Sequence, residues 1–451
     1  MSESGKIKMF IQHIKRFINV IKTQGLGEAL VRMIQRMLSF VIALFVILIW
    51  PFKKIRLIRL RSARIGHFAD NVHLLLCALK YNTYPEEKNC AHFYYTQTYV
   101  PISNSFLYKM WSRVIKIVPP WGAFWSYVDD ILIMILKEKY RTPFKKIFED
   151  SIGGYDIWNY HRKGKNQFIF FTEEEKQMGE NLKVKLGIPD GKPFVCLMVR
   201  DAAYIKNVMP DTAIYDENFR NADIKNYIPA IRFLIQKGYY VIRMGKYVEK
   251  ALNIEDPRFI DYSNHPIKSD FMDIYLSGTC AFFIGTSSGL DSVPRIMNRP
   301  VVTTNAIFFQ EKSYVDWTFL IFKNLFCIKT QTLVSYREIF KDYAHFILSG
   351  KYTNHRDPII QEWERKNWVF IENTPDEILD VVKEMVDYLE NPAIETHEMR
   401  DLQLLFWKNM PYELGRGETS YESVTMRISP SFLKRHDNLI TKFTSQACEV
   451  N

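Results

Sequence analysis

The sequence lacks the motifs of several common enzyme classes. Its six cysteines are scattered, with no CxxC pair. Neither a disulfide framework nor a zinc site is therefore indicated, and a reducing compartment fits best. There is also no GxxxxGK[ST] phosphate loop, no HExxH motif and no DxD motif beside a strand end. These absences argue against a P-loop NTPase and leave no signal for a metal site, so we expect no cofactor and no metal.

The composition excludes disordered, collagen-like and polytopic membrane proteins. Hydrophobic residues make up 47% of the chain and charged residues 24%, as in globular proteins. A length of 451 residues is too great for one ordinary domain. We expect a basic membrane-associating segment, an N-terminal α/β domain, a second Rossmann-like domain and a helical tail that packs across both domains. Their predicted bounds are 1–54, 55–190, 191–375 and 376–451.

The positive charge is concentrated at the N-terminus. Residues 1–64 hold 13 Lys and Arg residues, with only Glu3 and Glu28 as acidic residues, in a chain whose net charge is +10. In residues 6–22 the apolar side chains recur at helical spacing and the basic ones fall on the other side. This pattern is typical of a helix in the headgroup layer of a membrane. Aliphatic rather than aromatic residues lie between the charges, which disfavours nucleic acid as the partner.

A second apolar run follows this predicted helix. Gly25 and Gly27 are expected to break the helix, and residues 37–50 form an uncharged run that ends at Pro51. This run has about 14 residues, fewer than the roughly 17–25 that a spanning helix needs. We therefore expect shallow or re-entrant insertion, with residues 6–50 on the membrane surface. The alternative is that these helices pack on the protein's own core.

Strands and helices alternate through the rest of the chain. Residues 56–61 and 92–95 predict strands, and residues 64–71 predict a loop before a helix over 72–79. Apolar strands separated by helices indicate a parallel sheet that is covered on both faces. From Lys192 onward the predicted strands are 194–199, 239–244, 259–261, 281–285 and 300–304. Two such sheets in one chain predict a ligand cleft between the domains, at the carboxyl ends of the strands.

One turn is rich in small and hydroxyl-bearing residues. It follows the buried strand that ends at Gly285 and opens a predicted helix over 288–297. The turn consists of Thr286, Ser287, Ser288 and Gly289. Free N–H groups and the helix dipole at such a turn form an anion site, to which the hydroxyl groups add donors. Ordinary N-capping of the helix is the alternative.

Basic residues lie at the ends of successive predicted strands of the same sheet. They are Arg200, Arg220, Arg243 and Lys246. An arginine fork matches the oxygens of a diphosphate. Together with the hydroxyl-rich turn, these residues predict a nucleotide-diphosphate pocket that needs no metal. Solvated surface charge is the alternative for each of them.

Two further residues are candidates for proton transfer. His67 and Asp70 lie in the first predicted strand-to-helix loop, at the end that faces the cleft. His67 is a candidate general base because the pKa of a histidine can be placed near neutrality. A structural histidine, hydrogen-bonded within the loop, is the alternative.

The motifs resemble those of known sugar transferases. Residues 271–288, a helix, an apolar strand and a hydroxyl-rich turn, are similar to the donor segment of α1,6-fucosyltransferases. More of the chain, from about residue 56 to 440, resembles a family of bacterial surface-polysaccharide glycosyltransferases. The matching segments are Arg64-Ile-Gly-His67, Arg220-Asn-Ala-Asp-Ile224 with Asn226-Tyr227, Gly238-Tyr-Tyr-Val-Ile-Arg-Met-Gly-Lys246, the turn 286–289, Val293-Pro294 and Ile428-Ser-Pro-Ser-Phe432.

The resemblance implies a GT-B architecture. Two Rossmann-like domains would face a cleft, with the donor in the second domain and the acceptor in the first. Arg200 would match the donor-phosphate arginine of the fucosyltransferases, whose basic pair is replaced here by Arg200-Asp201. Enzymes of this type typically work without a metal.

These observations combine into one functional hypothesis. The chain would transfer a hexosyl or deoxyhexosyl group from a nucleotide-diphosphate sugar to a lipid-linked or cell-surface glycan. It would act at the cytoplasmic face of the bacterial inner membrane, as a peripheral or monotopic protein. Two alternatives stay open at this point, an inactive membrane-bound scaffold and another nucleotide-dependent transferase that moves a phosphoryl or acyl group.

Overall fold

The computed structural model describes most of the chain beyond the N-terminal segment. The described residues are 25–97, 100–140, 160, 164–203, 207, 218–249, 251–286, 288–307, 318–348, 357–392, 397–408 and 427–441. The predicted amphipathic helix over 6–22 and the predicted site residue Ser287 lie outside these residues.

The chain divides into two compact units. The first unit comprises Met1–Arg64, Ala78–Ser103 and Trp111–Asp150, and the second comprises Ile65–Cys77, Asn104–Met110 and Ser151–Asn451. Two short stretches from the N-terminal part of the chain therefore group with the C-terminal residues. The predicted domain bounds, which follow the chain order, stay a prediction.

Three sheets are present in the described part of the chain. The strands are β1 (Ile55–Leu60), β2 (Ala91–Thr96), β3 (Phe194–Met198), β4 (Tyr240–Arg243), β5 (Phe259–Asp261), β6 (Phe282–Gly285), β7 (Val301–Ala306), β8 (Thr318–Phe322), β9 (Asn324–Cys327), β10 (Thr332–Leu333), β11 (Trp368–Ile371) and β12 (Arg427–Ile428). In the first unit β1 and β2 pair in parallel. In the second unit β9 pairs antiparallel with β10 and β11. The other seven strands form one parallel sheet, in the order β12-β8-β7-β6-β3-β4-β5.

Helices connect and cover these strands. They are α1 (Leu26–Ile49), α2 (Ile65–Lys80), α3 (Ser105–Ser112), α4 (Phe124–Leu136), α5 (Glu173–Lys185), α6 (Ile228–Gln236), α7 (Asp270–Thr279), α8 (Ser292–Ile296), α9 (Tyr336–Leu348), α10 (Asp357–Arg365), α11 (Pro375–Glu390), α12 (His397–Lys408), α13 (Pro430–Arg435) and α14 (Asp437–Thr441). Several begin at the residues that their sequence favours. Thr172 and Thr374 each form a capping box at the start of α5 and α11, with Glu175 and Glu377 as partners, because the two side chains satisfy N–H groups that the helix leaves unpaired.

The core of the second unit lies between its sheet and the helices beside it. The central strands are buried along their length, and Leu234 of α6 and Val382 of α11 belong to the same hydrophobic cluster as Val195 and Val302. Strands that are buried on both faces carry continuous apolar runs. The predicted α/β fold class with a parallel sheet is confirmed, whereas strands β8 to β12 were not predicted.

Two local expectations for the N-terminal part of the chain are wrong. Gly27 does not break a helix, since α1 runs without interruption from Leu26 to Ile49. One glycine in a first turn costs only about 0.5–1 kcal/mol, too little to end a helix of this length. The predicted loop over 64–71 is helical from Ile65 onward, so Asp70 lies inside α2 and does not cap it.

As a result, the apolar run at 37–50 is part of a longer helix. By length and composition alone, α1 could cross a membrane, since its most apolar window has a mean hydropathy of 2.0 and only 17% of that window is buried. Within the predicted helical tail from residue 376, the described residues are mostly helical, and they also supply the short edge strand β12, which pairs with β8. The packing of the tail across the domains stays a prediction.

Candidate functional site

The large sheet changes direction between β3 and β6. From β3 the chain adds β4 and then β5 on one side, whereas β6, β7 and β8 extend the sheet on the other. In open parallel sheets, ligands bind outside the carboxyl ends of the strands at this switch point. Arg200 is the second residue after β3 and Thr286 directly follows β6, and both are predicted donor-binding residues.

Arg200 and Thr286 are directly connected. The backbone N–H of Arg200 donates a hydrogen bond of 2.8 Å to Oγ1 of Thr286, and Thr286 is buried. This hydrogen bond connects the segments that follow β3 and β6 at the switch point. The neighbouring Asp201 accepts hydrogen bonds from the backbone N–H groups of Ala203 and Glu249, each at 2.9 Å, so this acidic residue fixes the local backbone.

Ser288 contributes a hydroxyl group that the described residues do not satisfy. It precedes a short 3₁₀ helix (Gly289–Asp291) that leads into α8, and its side chain makes no capping hydrogen bond. Its Oγ is buried without a hydrogen-bond partner in the described part of the chain. A buried polar group left in this state costs about 1–3 kcal/mol. The predicted helix over 288–297 is thus split in two, and simple N-capping by Ser288 is not observed.

The turn packs against the start of α2. A Cβ on Gly66 would lie 2.9 Å from Cα of Gly289, and a Cβ on Gly289 would lie 3.1 Å from the backbone nitrogen of Gly66. Such a close approach of two backbones requires glycine on both sides. The start of α2 and the hydroxyl-rich turn, which are far apart in the sequence, therefore lie together in the second unit.

This contact also places the predicted proton-transfer residues. The hydroxyl of Ser292, in the first turn of α8, donates a 2.6 Å hydrogen bond to the carboxylate of Asp70. His67 is half-buried in the first turn of α2, one residue after Gly66. Both residues are therefore on the helix that contacts the turn, although on a helix rather than on the expected loop. Their roles in catalysis stay predictions.

A lysine that the sequence analysis missed lies beside this site. Lys323 directly follows β8, and its Nζ donates a 2.6 Å hydrogen bond to the backbone carbonyl of Asn221. Ala222 in turn donates its backbone N–H to the carbonyl of Arg200 at 3.0 Å. Burial lowers the pKa of Lys323 to about 8, and the charge of Arg200 also lowers it while Glu372 opposes the shift. In the sequence, the feature that could have identified Lys323 was its position directly after an apolar segment.

The predicted residue Arg220 lies in the same segment, next to Asn221. It ends a short 3₁₀ helix, Asn218–Arg220, and is half-buried. The segment that follows is held by Glu372, whose Oε2 accepts hydrogen bonds from the backbone N–H of Asp223 at 2.8 Å and from the amide of Asn226 at 3.3 Å. Contacts along this segment thus connect Arg220 to the strand ends that carry Arg200 and Lys323.

A buried polar network rigidifies the sheet edge near these residues. The hydroxyl groups of Tyr227 and Thr304 are 2.6 Å apart, and the Asn305 amide donates to Tyr227 at 3.0 Å. Asn305 and Asn373 exchange two further bonds through their backbone N–H groups and side-chain oxygens, at 2.6 and 2.8 Å. Fully satisfied buried networks of this kind fix one arrangement of the chain.

The remaining two predicted cations are Arg243 and Lys246. Arg243, at the end of β4, is buried and forms a 3.0 Å ion pair with Asp261 of β5. In the strand order, β5 is on the far side of β4 from the turn. Lys246 is exposed, and its carbonyl accepts a hydrogen bond from Lys268 at 3.1 Å. Donor-binding roles for Arg243 and Lys246 stay predictions, and the structure gives Arg243 a partner within the sheet.

The same edge of the sheet holds a carboxyl group with a raised pKa. Burial raises the pKa of Asp273 to about 6, although the hydroxyl of Tyr262 donates a 3.0 Å hydrogen bond to it and Lys268 is close. Burial also lowers the pKa of Lys268. Lys268 donates hydrogen bonds to backbone carbonyls, including that of Ser263 at 2.8 Å. The polar groups of this cluster therefore have partners within the protein.

The hydroxyl-rich turn has a second property. Gly285-Thr-Ser-Ser-Gly289 has the GxSxG spacing of a nucleophile elbow and lies between a strand and a helical segment, as that motif requires. In an elbow Ser287 would be the nucleophile. Because Ser287 lies outside the described residues, the elbow is a hypothesis that only experiment tests.

No candidate metal site is found among the residues that the structure describes, where no group of three or more His, Cys, Asp or Glu could hold an ion. The expectation that no metal or cofactor is needed stays an expectation.

Comparisons with known proteins find similarity only among solved structures. No family model matches the sequence, and no curated protein matches it. Among solved structures, it is similar to the ADP-heptose lipopolysaccharide heptosyltransferase II of E. coli, at 12% identity and a TM-score of 0.33, over 59% of this chain and 90% of that one. A glycosyltransferase of family 9 from Veillonella parvula is similar at 10% identity and a TM-score of 0.35, over 69% and 97%.

A third similar structure is TibC, an iron-containing dodecameric glycosyltransferase from enterotoxigenic E. coli. It shares 13% identity at a TM-score of 0.30, over 59% of this chain and 63% of that chain. All three are glycosyltransferases. The similarity to α1,6-fucosyltransferases stays a prediction from the sequence.

Proposed function

We propose that the protein is a glycosyltransferase that uses a nucleotide-diphosphate sugar, with the diphosphate bound at the carboxyl edge of the seven-stranded sheet. The observation that carries this proposal is the junction of β3 and β6. There the Arg200 backbone is bonded to Thr286, and the buried hydroxyl of Ser288 has no partner among the described residues. A phosphate oxygen would supply the missing partner.

The chemistry would depend on stabilising the leaving diphosphate. Arg200, Arg220 and Lys323 would supply positive charge, and the turn that begins with Thr286 would supply hydroxyl and N–H donors. The bond from the anomeric carbon to the diphosphate would break as the acceptor oxygen bonds to that carbon. The acceptor proton would pass to His67 or Asp70. Inversion and retention are both compatible with this arrangement.

The sequence resemblance favours sugar transfer over other nucleotide-dependent reactions. It also suggests the GT-B arrangement of two domains around a cleft, a hexosyl or deoxyhexosyl donor and a lipid-linked or cell-surface glycan as acceptor. The exposed apolar helix α1 supports a location at the membrane, where a lipid-linked acceptor would be concentrated. The proposed location is the cytoplasmic face of that membrane.

The test is donor binding by the full chain and its variants. Thermal shift and calorimetry are measured with common nucleotide-diphosphate sugars, with and without EDTA, since a ligand that binds the folded state raises its melting temperature. Arg200→Ala should weaken binding about 10- to 100-fold, because it removes a charge-assisted hydrogen bond. The matched control is Arg365→Ala, whose side chain is 71% exposed on α10 and should leave affinity unchanged.

The outcomes separate the alternatives. If no nucleotide sugar shifts the melting temperature, the inactive scaffold is favoured. If a nucleotide binds but the product mass shows a phosphoryl or acyl group on the acceptor, another transferase is favoured. If a fluorophosphonate probe labels the protein and Ser287→Ala abolishes labelling, the turn acts as a nucleophile elbow instead.

A further inference from the structure

The outer surface of α1 is almost entirely apolar and exposed. Met37, Val41 and Leu48 are 65%, 61% and 73% exposed, and they lie at helical spacing on one stripe. Phe52, just beyond the helix, is 88% exposed. Soluble proteins rarely leave a continuous apolar surface of this length in water, so the surface requires a partner.

The inner side of α1 is attached lengthwise to the core of the first unit. Ala43 and Val46 belong to one buried cluster with Leu57 of β1, Tyr95 of β2 and Val128 of α4. The helix therefore shares one core with both strands of the small sheet and packs on its neighbouring helix α4 through its apolar half.

A hydrogen bond and an aromatic contact also connect α1 to α4 and to the residues that follow α4. The hydroxyl of Ser39 donates a 3.0 Å hydrogen bond to the carbonyl of Phe124, at the start of α4. At the other end, the rings of Trp50 and Tyr140 have centroids 5.5 Å apart. Ser39 thus contacts Phe124, and Trp50, further along, contacts Tyr140. Because the residue numbers rise together along the two helices, α1 and α4 run side by side in the same direction.

This attachment is incompatible with a helix that crosses the bilayer. If α1 were upright in the membrane, α4 and the strands of the shared core would enter the hydrocarbon layer with it. Arg56 of β1 is buried and lies 3.3 Å from Glu87, and Asp129 of α4 accepts hydrogen bonds from two tyrosine hydroxyls. Open strand edges do not occur in the hydrocarbon layer, and charged groups are rare and costly there.

Basic and aromatic groups surround the apolar stripe. Arg36, in the first half of α1, and Lys53 and Lys54, just after it, are exposed. Lys137, at the end of α4, is also exposed, and Trp121, before α4, is 59% exposed. Lysine and arginine are attracted to anionic headgroups, and tryptophan prefers the interface. A second copy of the chain would instead bring these positive charges close to one another.

We infer that α1 lies in the plane of an anionic membrane, with the stripe of Met37, Val41 and Leu48 immersed in one leaflet and the first unit on the cytoplasmic side. This deepens the membrane location in the proposed function and rests on it. It also makes α4 part of the membrane surface, because Met134 of α4 is 64% exposed. The helix is thus a monotopic attachment rather than an anchor that spans.

Flotation with lipid vesicles tests the surface directly. The full chain is mixed with vesicles of phosphatidylcholine and phosphatidylglycerol, without donor or acceptor. Val41→Asp should weaken binding at least about tenfold, since a carboxylate enters the acyl region in place of an apolar group. Val184→Asp is the matched control, because Val184 is 54% exposed on α5 in the second unit, and it should bind as the wild type does.

Two further measurements, binding to vesicles of different lipid composition and the oligomeric state in solution, decide what covers the apolar stripe. Binding that disappears with phosphatidylcholine alone or at high salt supports anionic lipid as the partner. Equal binding of Val41→Asp and wild type overturns the inference. A wild-type dimer in solution that Val41→Asp converts to monomer, without vesicle binding by either, also overturns it in favour of a second copy.

Tag accessibility separates in-plane insertion from spanning. Cleavable epitope tags are placed at both ends of the full chain, and protease is added to inside-out membrane vesicles. In-plane insertion predicts that both tags are removed. Protection of the N-terminal tag alone would show that α1 spans, and would overturn the inference. Donor affinity, measured separately on the Val41→Asp variant, should be unchanged, so failure here is distinct from failure of the proposed function.

Discussion

The two sides of the large sheet differ in the polar and charged groups at the carboxyl ends of their strands. At the β3, β6 and β8 ends the basic residues are Arg200 and Lys323, and the buried hydroxyl of Ser288, three residues after β6, has no partner in the described residues. At the β4 and β5 ends, Arg243 is buried against Asp261. All of these positions are strand ends of one parallel sheet. The difference is that on one side the buried hydroxyl of Ser288 has no partner among the described residues, whereas on the other side Asp261 forms an ion pair with Arg243.

This comparison shows how a basic residue at a strand end should be interpreted. Spacing along the chain predicts that Arg200 and Arg243 lie at the same edge, since carboxyl ends of parallel strands share it. It does not predict which of them meets an acidic side chain from the next strand. A buried arginine with such a partner stabilises the sheet, and removing it leaves an uncompensated charge.

The largest effect is expected from Arg243→Ala. Because Arg243 and Asp261 are 4% and 22% exposed, loss of the arginine should lower the free energy of unfolding by about 3 kcal/mol. Urea denaturation measures this change. The affinity for a nucleotide-diphosphate sugar should change less than it does in Arg200→Ala.

Asp261→Asn completes a double-mutant cycle for this pair. A coupling energy near zero between the two positions would mean that the ion pair is not formed in solution. A normal stability of Arg243→Ala, with donor binding abolished, would reverse the comparison and return Arg243 to the donor site.

A smaller effect is expected where α2 meets the turn. Gly66→Ala places a Cβ 2.9 Å from the backbone of Gly289, so the helix and the turn must separate. We expect a loss of about 2 kcal/mol in the free energy of unfolding, as for other overpacked sites, together with weaker donor binding. Thermal and urea denaturation with donor titration measure both.

Gly27→Ala is the control for helix propensity. No atom lies within 4 Å of a Cβ at Gly27, which is also in a helix, so alanine there should add about 0.5–1 kcal/mol. If both substitutions stabilise the protein, the contact between Gly66 and Gly289 does not exist.

The smallest effect is a pH dependence that involves Lys323. Its pKa is lowered to about 8 by burial, whereas an unfolded lysine has a pKa near about 10.4. Between these values the unfolded state binds more protons, so the free energy of unfolding rises with pH in this window. Donor affinity should change in the opposite sense, falling about fivefold from pH 8 to pH 9, because the ammonium loses its charge.

Calorimetric titrations across this pH range compare the wild type with Lys323→Met. The variant should show neither dependence, and its donor affinity at pH 7 should be lower. Parallel pH profiles for the two proteins would remove Lys323 from the donor site and leave Arg200 as the basic group on that side of the sheet.

The sequence predicted the strand pattern of the second unit with few errors. The strand at 259–261 has the predicted bounds, and β3, β4, β6 and β7 lie within two residues of theirs at either end, because buried parallel strands carry continuous apolar runs between turn residues. The strands from β8 onward were missed. β11 alternates between half-buried and exposed residues and so carries no such run, whereas β8 is buried along its length and its apolar run was overlooked.

The candidate site was predicted in parts but not as a whole. The turn at Thr286 and the basic residue Arg200 have recognisable local patterns, a strand end followed by small or charged residues. In the sequence, Lys323 is not distinguishable from other lysines that follow strands, because only the structure shows that it is buried. The hydrogen bond between Asp70 and Ser292 joins residues 222 positions apart, and no local pattern encodes such a pairing.

By itself, the sequence determined the alternation of apolar strands with helices, the hydroxyl-rich turn and the basic, apolar start of the chain, because each is a property of neighbouring residues. Only the tertiary structure decided that Arg243 is paired within the sheet, that Gly66 approaches Gly289, and that α1 lies along the core of the first unit. These depend on which surfaces meet when the chain packs, and the free energy of each contact is set by burial and by partners that are distant in the sequence.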